Sequence, residues 1–204
     1  PVAVTQDNAG NEFGSISALV QNINIEQITF KNGTAHTGFS VDCAKDVRFV
    51  RCKFLGTYAA GGADVANSKG VTVRSTNALK CSNIMFDSCV FTKFARLVDL
   101  SYDVTSVRIV NGDFSTAYYG AYIGDATDGA TNGLTLGPKN VQFLSNTWSN
   151  IGQNAIRVDA QGTIRNIVSA GNWFASDIGN NFEGYDQNNG NEVPVIEFTA
   201  DECA

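Results

Sequence analysis

The chain has 204 residues, of which 43% are hydrophobic and 17% are charged, a composition typical of a folded domain with a sizeable core. Twenty Asp and Glu against 14 Lys and Arg give a formal net charge of −6, which would repel a phosphate backbone and therefore excludes nucleic acid from the expected partners. The sequence contains no apolar run of about 18 residues, so no membrane-spanning helix is predicted.

The first 21 residues differ from the rest of the chain because they lack the pattern that recurs after them. We predict that residues 1–21 form an N-terminal arm or cap and that residues 22–204 form one domain, since the ends of a repetitive fold need a covering structure. The chain opens at Pro1 with neither a basic nor a hydrophobic leader, so no secretory signal is predicted within it.

A nine-residue pattern recurs after this segment: polar, Ile or Val, polar, large apolar, two polar, small or Asn, polar, aromatic. In chain order it reads QITFKNGTA from Gln27 (a degenerate copy), DVRFVRCKF from Asp46, NIMFDSCVF from Asn83, SVRIVNGDF from Ser106, NVQFLSNTW from Asn140 and NIVSAGNWF from Asn166. The copies start 19, 37, 23, 34 and 26 residues apart. The shorter steps match one coil of a β-helix, and the two longer ones indicate coils with insertions.

The alternation inside each copy predicts the core. Places two and four point to one side of a short strand, and after a two-residue bend places seven and nine point inward from the next strand. Equivalent residues of neighbouring coils should stack, so we expect Cys52 near Cys89 and a hydrogen bond between Asn146 and Asn172. The large side chains predicted to be buried are Phe49, Phe54, Phe86, Phe91, Ile109, Phe114, Phe143 and Trp148.

A third apolar segment follows the copies, as in Val41-Asp42-Cys43, Val98-Asp99-Leu100 and Val158-Asp159-Ala160. Three short strands per coil give a triangular cross-section. The sequence therefore predicts an all-β fold, a right-handed parallel β-helix of about six or seven coils with loop insertions, rather than a β-sandwich. Loops are predicted at residues 56–67, 124–137 and 180–191, and loops are where a solenoid carries its function.

Five cysteines, Cys43, Cys52, Cys81, Cys89 and Cys203, occur at irregular spacing. An odd number argues against a disulfide framework, and no CxxC pair accompanies the single histidine, so no zinc site is predicted. We expect buried free thiols, which favour assembly in a reducing compartment. No other metal and no cofactor is predicted.

The rungs have the form N-[IV]-x-F-x-x-[CN]-x-F and resemble those of the pectin-lyase-like parallel β-helix superfamily, and within it the tailspike and tail-appendage proteins of tailed phages. The resemblance covers roughly residues 27–198 and implies a fold shared by pectate lyases, polygalacturonases, alginate epimerases and phage proteins that bind or cleave cell-surface glycans. The Gly-His-Gly and Arg-Ile-Lys motifs of the polygalacturonases and the Asp-Pro-His-Glu motif of the epimerases are absent. Arg96 and Asp99 lie close in sequence, but the flanking motif of the pectate lyases is missing.

The acids of the third segment are the remaining candidates for chemistry. We predict that Asp42, Asp64, Asp99, Asp159 and Glu183 form a rough column on one outer face. Two carboxylates about 5–10 Å apart could hydrolyse a glycosidic bond or hold Ca²⁺; the alternative is that these acids bond to turn N–H groups and to solvent. We expect no catalytic set, and name Asp99, Asp159 and Glu183 as the candidates for an enzyme.

Four aromatic residues are predicted to contact a glycan or a partner chain. Trp173 precedes Phe174, which the pattern directs inward, so the Trp173 side chain is expected to point outward. Tyr118, Tyr119 and Tyr122 cluster just before the second predicted loop, where exposed rings can stack on a sugar or pack against another chain.

The expected function is that of a phage virion structural protein, a tailspike-like appendage or a capsid or tail decoration, that acts by self-association and attachment and can bind a cell-surface glycan. Its expected partners are further copies in a homotrimer and other virion proteins, after assembly in a reducing bacterial cytoplasm. The alternatives are a polysaccharide lyase or glycoside hydrolase, and a glycan-binding adhesin module of a cell surface.

Overall fold

The computed structural model describes residues 2–6, 14–17, 20–32, 37–75, 79–124, 137–160, 164–186, 196–199 and 202–203. Within these residues the regular structure is entirely β-strand. The strands are, in chain order, β1 (Val2–Gln6), β2 (Gly14–Ser17), β3 (Gln21–Glu26), β4 (Ile28–Asn32), β5 (Phe39–Asp42), β6 (Lys45–Val50), β7 (Lys53–Leu55), β8 (Lys69–Arg74), β9 (Ser82–Asp87), β10 (Val90–Thr92), β11 (Arg96–Ser101), β12 (Thr105–Val110), β13 (Asp113–Ile123), β14 (Lys139–Leu144), β15 (Thr147–Ala160), β16 (Arg165–Ala170), β17 (Trp173–Phe174), β18 (Asn180–Asp186), β19 (Ile196–Thr199) and β20 (Glu202–Cys203).

The strands form the three faces of a parallel β-helix. The first face is a seven-stranded sheet in the order β3, β6, β9, β12, β14, β16, β19. The second face contains β1, β4, β7, β10, the starts of β13 and β15, β17 and β20, and the third contains β2, β5, β8, β11, the ends of β13 and β15, and β18. All pairs between described strands are parallel. The predicted parallel β-helix is confirmed, and in the described part of the chain the seven strands of the first face agree with the predicted six or seven coils.

The core is built as the alternation predicts. Each of the eight large side chains predicted to be buried is fully buried. Along the second face one aromatic ring per coil stacks on the next, with neighbouring ring centroids 4.0–5.9 Å apart, close to the spacing of about 4.8 Å between paired strands. This column consists of Phe30, Phe54, Phe91, Phe114, Trp148 and Phe174.

The first copy of the pattern starts five residues earlier than its sequence suggested. Ile23 pairs with Val47 and Ile25 with Phe49, so the first rung begins at Asn22 and reads NINIEQITF. The copy assigned to Gln27 was wrong because its apolar residues belong to β4, the strand after the bend.

On the first face, each strand from β3 to β16 has one residue in the left-handed conformation near its start and another directly after its end. The second residue of the strand and the residue directly after it have φ between 51° and 62°. Asn and Asp tolerate this conformation better than other residues with a side chain, which explains why they recur at the first place of the pattern. We call these two rows the left-handed columns; they consist of Asn22, Asp46, Asn83, Ser106, Asn140 and Asn166, and of Gln27, Arg51, Ser88, Asn111, Ser145 and Gly171.

The predicted asparagine ladder is present inside the corner between the first and second faces. The Nδ2 group of Asn146 donates to Oδ1 of Asn172 at 2.9 Å and to the carbonyl oxygen of Ile109 at 3.1 Å. The backbone N–H of Gly112 donates to Oδ1 of Asn146 at 2.8 Å. The buried amides thus satisfy both each other and backbone groups of two coils.

Two strands lie where the sequence lacks the rung pattern. β1 pairs with β4 and β2 pairs with β5, so the backbone of this segment extends the second and third faces. The division at residue 21 into an arm or cap and a β-helix domain stays a prediction.

Near the other end, residues 180–186 were predicted as a loop and instead form β18, because pairing with the end of β15 overrides the weak strand preference of Asn and Gly. No helix of the described residues is long and apolar enough to cross a membrane.

The four cysteines whose side chains are described are free and buried; the side chain of Cys203 lies outside the described residues. Cys52 and Cys89 occupy the same place in adjacent coils. A hydrogen bond from Cys89 lowers the pKa of Cys52 to about 7, and the same contact together with burial raises the pKa of Cys89. Burial raises the pKa of Cys81 to about 12.

We expect these thiols to react only when the chain unfolds, because a thiolate that no reagent can reach is inert. At neutral pH a thiol reagent should modify Cys52 and Cys89 at the rate of global unfolding, in a Cys203→Ser background. Mass spectrometry of the modified peptides during a urea series measures this. Rapid labelling of Cys52 below the unfolding transition would contradict the assignment of its side chain to the core.

Candidate functional site

The third face carries polar and aromatic side chains on its outer side. Asp99 of β11 lies beside Thr72 of β8 and Tyr122 of β13, and Tyr122 lies beside Arg157 of β15. The neighbours of Asp99 along the strand, Val98 and Leu100, are buried in the core, so the alternation directs this row outward. A second row, at the start of the same strands, contains Lys69, Arg96 and Tyr119.

We call the group formed by these rows and their direct partners the third-face cluster. Its members come from four coils and from the loop between β7 and β8, so no local stretch of sequence contains the site. The cluster consists of Asp64, Lys69, Arg96, Asp99, Tyr118, Tyr119, Tyr122, Arg157 and Asp159.

Asp99 is the buried centre of the cluster, with 1% of its side chain exposed. Its Oδ2 atom contacts Nζ of Lys69 at 3.0 Å and Nη1 of Arg96 at 3.4 Å. A carboxylate removed from water is stable only when cations and donors surround it. The carboxylate of Asp99 is therefore held by two cationic side chains, those of Lys69 and Arg96.

Arg96 fastens the loop of residues 56–67 over the third face. The carboxylate of Asp64 accepts hydrogen bonds from Nη2 of Arg96 at 2.7 Å and from Nε at 3.2 Å, the bidentate arrangement that guanidinium favours. Burial alone would lower the pKa of Arg96, but the hydrogen bond to Asp64 and the charge of Asp99 outweigh burial and raise it. Arg96 therefore stays charged.

Tyr122 connects Arg96 to a second acid. The guanidinium carbon of Arg96 lies 4.0 Å from the ring centroid of Tyr122, within the range of a cation–π interaction. The hydroxyl of Tyr122 donates to Oδ2 of Asp159 at 2.7 Å. Burial, and then this hydrogen bond, raise the pKa of Tyr122, so the hydroxyl stays protonated and remains a donor.

Tyr118 and Tyr119 form the half-buried rim of the cluster. Their ring centroids lie 4.7 Å apart in an edge-to-face arrangement, and the guanidinium carbon of Arg157 lies 5.3 Å from the centroid of Tyr119. Burial raises the pKa of Tyr119. Aromatic rings beside charged hydrogen-bonding groups can stack on a sugar ring and bond to its hydroxyls.

The five acids do not form the predicted column. The register places Asp99 and Glu183 in one row, separated by Tyr122 and Arg157, and places Asp42 and Asp159 in rows two residues further along their strands. Asp64 lies in the loop. A two-residue shift leaves every side chain on the same side of the sheet, so alternation alone could not detect it.

The catalytic candidates are buried or lie apart. Asp159 is buried and holds Tyr122, and its strand position is two coils and two residues from that of Asp99, a Cα separation of roughly 12 Å. Glu183 lies in β18 opposite Arg157, and its side chain lies outside the described residues. The described residues contain no group of three or more His, Cys, Asp or Glu that could hold a metal ion. The single histidine, His36, lies outside the described residues.

The predicted aromatic contacts fall on two different faces. Tyr118, Tyr119 and Tyr122 meet in the cluster, whereas Trp173 lies on the second face beside Thr147, with 41% of the residue exposed. Sequence reasoning missed Lys69 and Arg157, which resembled ordinary solvated positions. The register could have found them: Lys69 pairs with Arg96 in the neighbouring coil, and Arg157 pairs with Tyr122, which pairs with Asp99.

No protein-family model and no curated protein matches the chain. Among solved structures, it is similar to a glycoside hydrolase at 13% identity and a TM-score of 0.45, over 92% of this chain and 37% of that one. It is also similar to two mutants of the tailspike protein of E. coli bacteriophage HK620, each with a TM-score of 0.43. The first is 12% identical over 90% of this chain and 43% of that one. The second, in complex with a pentasaccharide, is 11% identical over 98% of this chain and 47% of that one. The chain thus spans less than half the length of each, and the likeness concerns the fold alone.

Proposed function

We propose that this chain is an attachment module that binds a cell-surface glycan along the third-face cluster and does not cleave it. In this proposal it belongs to a phage virion, as a tailspike-like appendage or a capsid or tail decoration, in which it forms a homotrimer and contacts other virion proteins. Buried free thiols support assembly in a reducing cytoplasm.

The observation that carries the glycan part is the rim of the cluster. The two half-buried tyrosine rings lie edge to face, and the guanidinium carbon of Arg157 lies 5.3 Å from the ring centroid of Tyr119. Asp64 adds a carboxylate through its hydrogen bonds to Arg96. Aromatic faces bind the C–H side of a sugar, and charged groups bind its hydroxyls. The rigid strands below hold these groups in place, so little ordering is needed on binding.

The state of the acids supports binding over catalysis. A general acid or base must come within hydrogen-bond reach of the glycosidic oxygen or of a water molecule. Asp99 is buried between two cations, and Oδ2 of Asp159 accepts the hydroxyl of Tyr122. Both carboxylates are therefore committed to the packing of the cluster.

An array of bacterial surface oligosaccharides tests the proposal, followed by calorimetry with the oligosaccharide that binds. Tyr119→Ala should weaken binding at least about tenfold, the loss typical of one sugar-stacking ring. The matched control is Trp173→Ala, an exposed aromatic on the second face, which should leave the affinity unchanged. Cleavage of the oligosaccharide that disappears in Asp159→Asn would establish the hydrolase alternative instead, and equal binding by Tyr119→Ala and the wild type would refute the site.

A further inference from the structure

The outer side of the first face differs in composition from those of the other two faces. Its outward side chains lie between the two left-handed columns and include an apolar group that is half-buried without being part of the core. On β12, β14 and β16 only Arg108 and Gln142 are polar among the outward positions between the columns. The apolar group consists of Val50, Met85, Val110, Leu144, Val168 and Ala170.

We propose that the outer side of the first face is an interface between copies of this chain packed in the same direction. Two first faces that pack against each other in the same direction are related by a twofold axis, so this interface joins two copies. It rests on the self-association in the proposed function and not on the number of copies given there. Parallel sheets are ordinarily covered on both faces, and apolar side chains gathered on a flat surface mark an interaction site. The third face, by contrast, is polar on its outer side and has the loop of residues 56–67 fastened over it by the Asp64–Arg96 pair.

The size of the face suits a second copy. Five residue steps of about 3.3 Å separate the left-handed columns, and six strand steps of about 4.8 Å separate β3 from β19. The face is therefore roughly 17 Å by 29 Å, and two such faces bury on the order of 1,000 Å², the lower limit for a specific protein interface.

The distribution of charge along the coil axis favours one direction. Towards β3 the outward positions include Glu26, which is exposed, and Arg48, which pairs with Asp87 at 2.9 Å; at the other end the register places one acid, Glu197 of β19, beside Val168. The apolar side chains concentrate towards β16. Copies packed in the same direction place apolar side chains on apolar side chains, whereas opposite packing would press Leu144 and Val168 against Arg48 and Glu26 and desolvate those charges.

Sedimentation equilibrium of the full chain over a range from about 1 to 200 μM tests the face. The wild type should associate reversibly, and Leu144→Lys should weaken the association at least tenfold. The matched control is Leu55→Lys, which places the same charge at a half-buried outward position of the second face and should leave association unchanged. Equal urea midpoints of both variants show that they are folded; Val110→Lys repeats the test on a neighbouring strand.

A crosslinking experiment in a Cys203→Ser background tests the direction. Ala170→Cys should join to itself between copies through a short thiol crosslinker, and a mixture of Ala170→Cys with Glu26→Cys should give no mixed product. A mixed product alone, a monomer at every concentration, or association that Leu144→Lys leaves intact would each overturn the proposal. Retained association in a chain that binds no glycan would reject the glycan part of the proposed function and leave this interface standing.

Discussion

Phe86→Ala is expected to lower the free energy of unfolding by about 3–5 kcal/mol, because the substitution removes a fully buried ring from a core that cannot close around the cavity. The Phe86 ring stacks on Phe49 with centroids 4.9 Å apart and meets Phe91 edge-on at 5.7 Å. The stacked strands above and below fix the positions of these neighbours, so they cannot move into the space.

The matched control is Met85→Ala, which shortens the adjacent side chain of the same strand on its outward side. It should cost less than about 1 kcal/mol. Urea unfolding followed by both circular dichroism and fluorescence measures the two variants, and coincident transitions justify a two-state free energy. Similar costs for Phe86→Ala and Met85→Ala would be incompatible with the stacked core.

Arg96→Ala is expected to have the second large effect, about 3 kcal/mol of lost stability together with loss of glycan binding. Arg96 is only 11% exposed, and its removal takes one of the cations away from the buried carboxylate of Asp99, which also contacts Lys69. Removing one partner of a buried ion pair costs several kcal/mol, because the other charge stays desolvated. The loop of residues 56–67 also loses its fastening through Asp64.

Arg48→Ala provides the comparison, since it breaks an ion pair of similar length, 2.9 Å to Asp87, with Arg48 49% exposed. Exposed pairs contribute between about 0 and 1 kcal/mol. Thermal and urea unfolding of both variants should therefore differ by at least 2 kcal/mol. If Arg96→Ala were as mild as Arg48→Ala, the cluster would be a solvated surface and not a preformed site.

Much of the fold could be predicted because nine consecutive residues contain the whole pattern of one rung. The inward places carry Phe, Ile, Val and Cys within nine residues, and the left-handed positions select Asn and Asp. Each coil repeats the same physical requirement, so the core and the asparagine ladder were both predicted correctly. The degenerate first rung was misplaced because Ile occurs on both sides of its bend.

The cluster could not be predicted, because it depends on which residues of different coils become neighbours. Asp99 meets Lys69 and Tyr122 only through the register of β8, β11 and β13, and insertions of different length lie between these strands. The same two-residue ambiguity that misplaced the acids also concealed the equivalence of Tyr122 and Arg157. Sequence alternation specifies inside and outside and leaves the position along the strand open.

The asparagine ladder has a consequence for chemical ageing. Asn111 and Gly112 form an Asn-Gly dipeptide, the sequence at which proteins deamidate fastest, since the glycine nitrogen attacks the asparagine side-chain carbonyl to form a succinimide. Here that nitrogen is buried and its hydrogen is held by Oδ1 of Asn146, while the Asn111 side chain hydrogen-bonds to Asp87. Both reacting groups are restrained, so the folded chain should keep Asn111 intact over long storage, and unfolding should release the reaction.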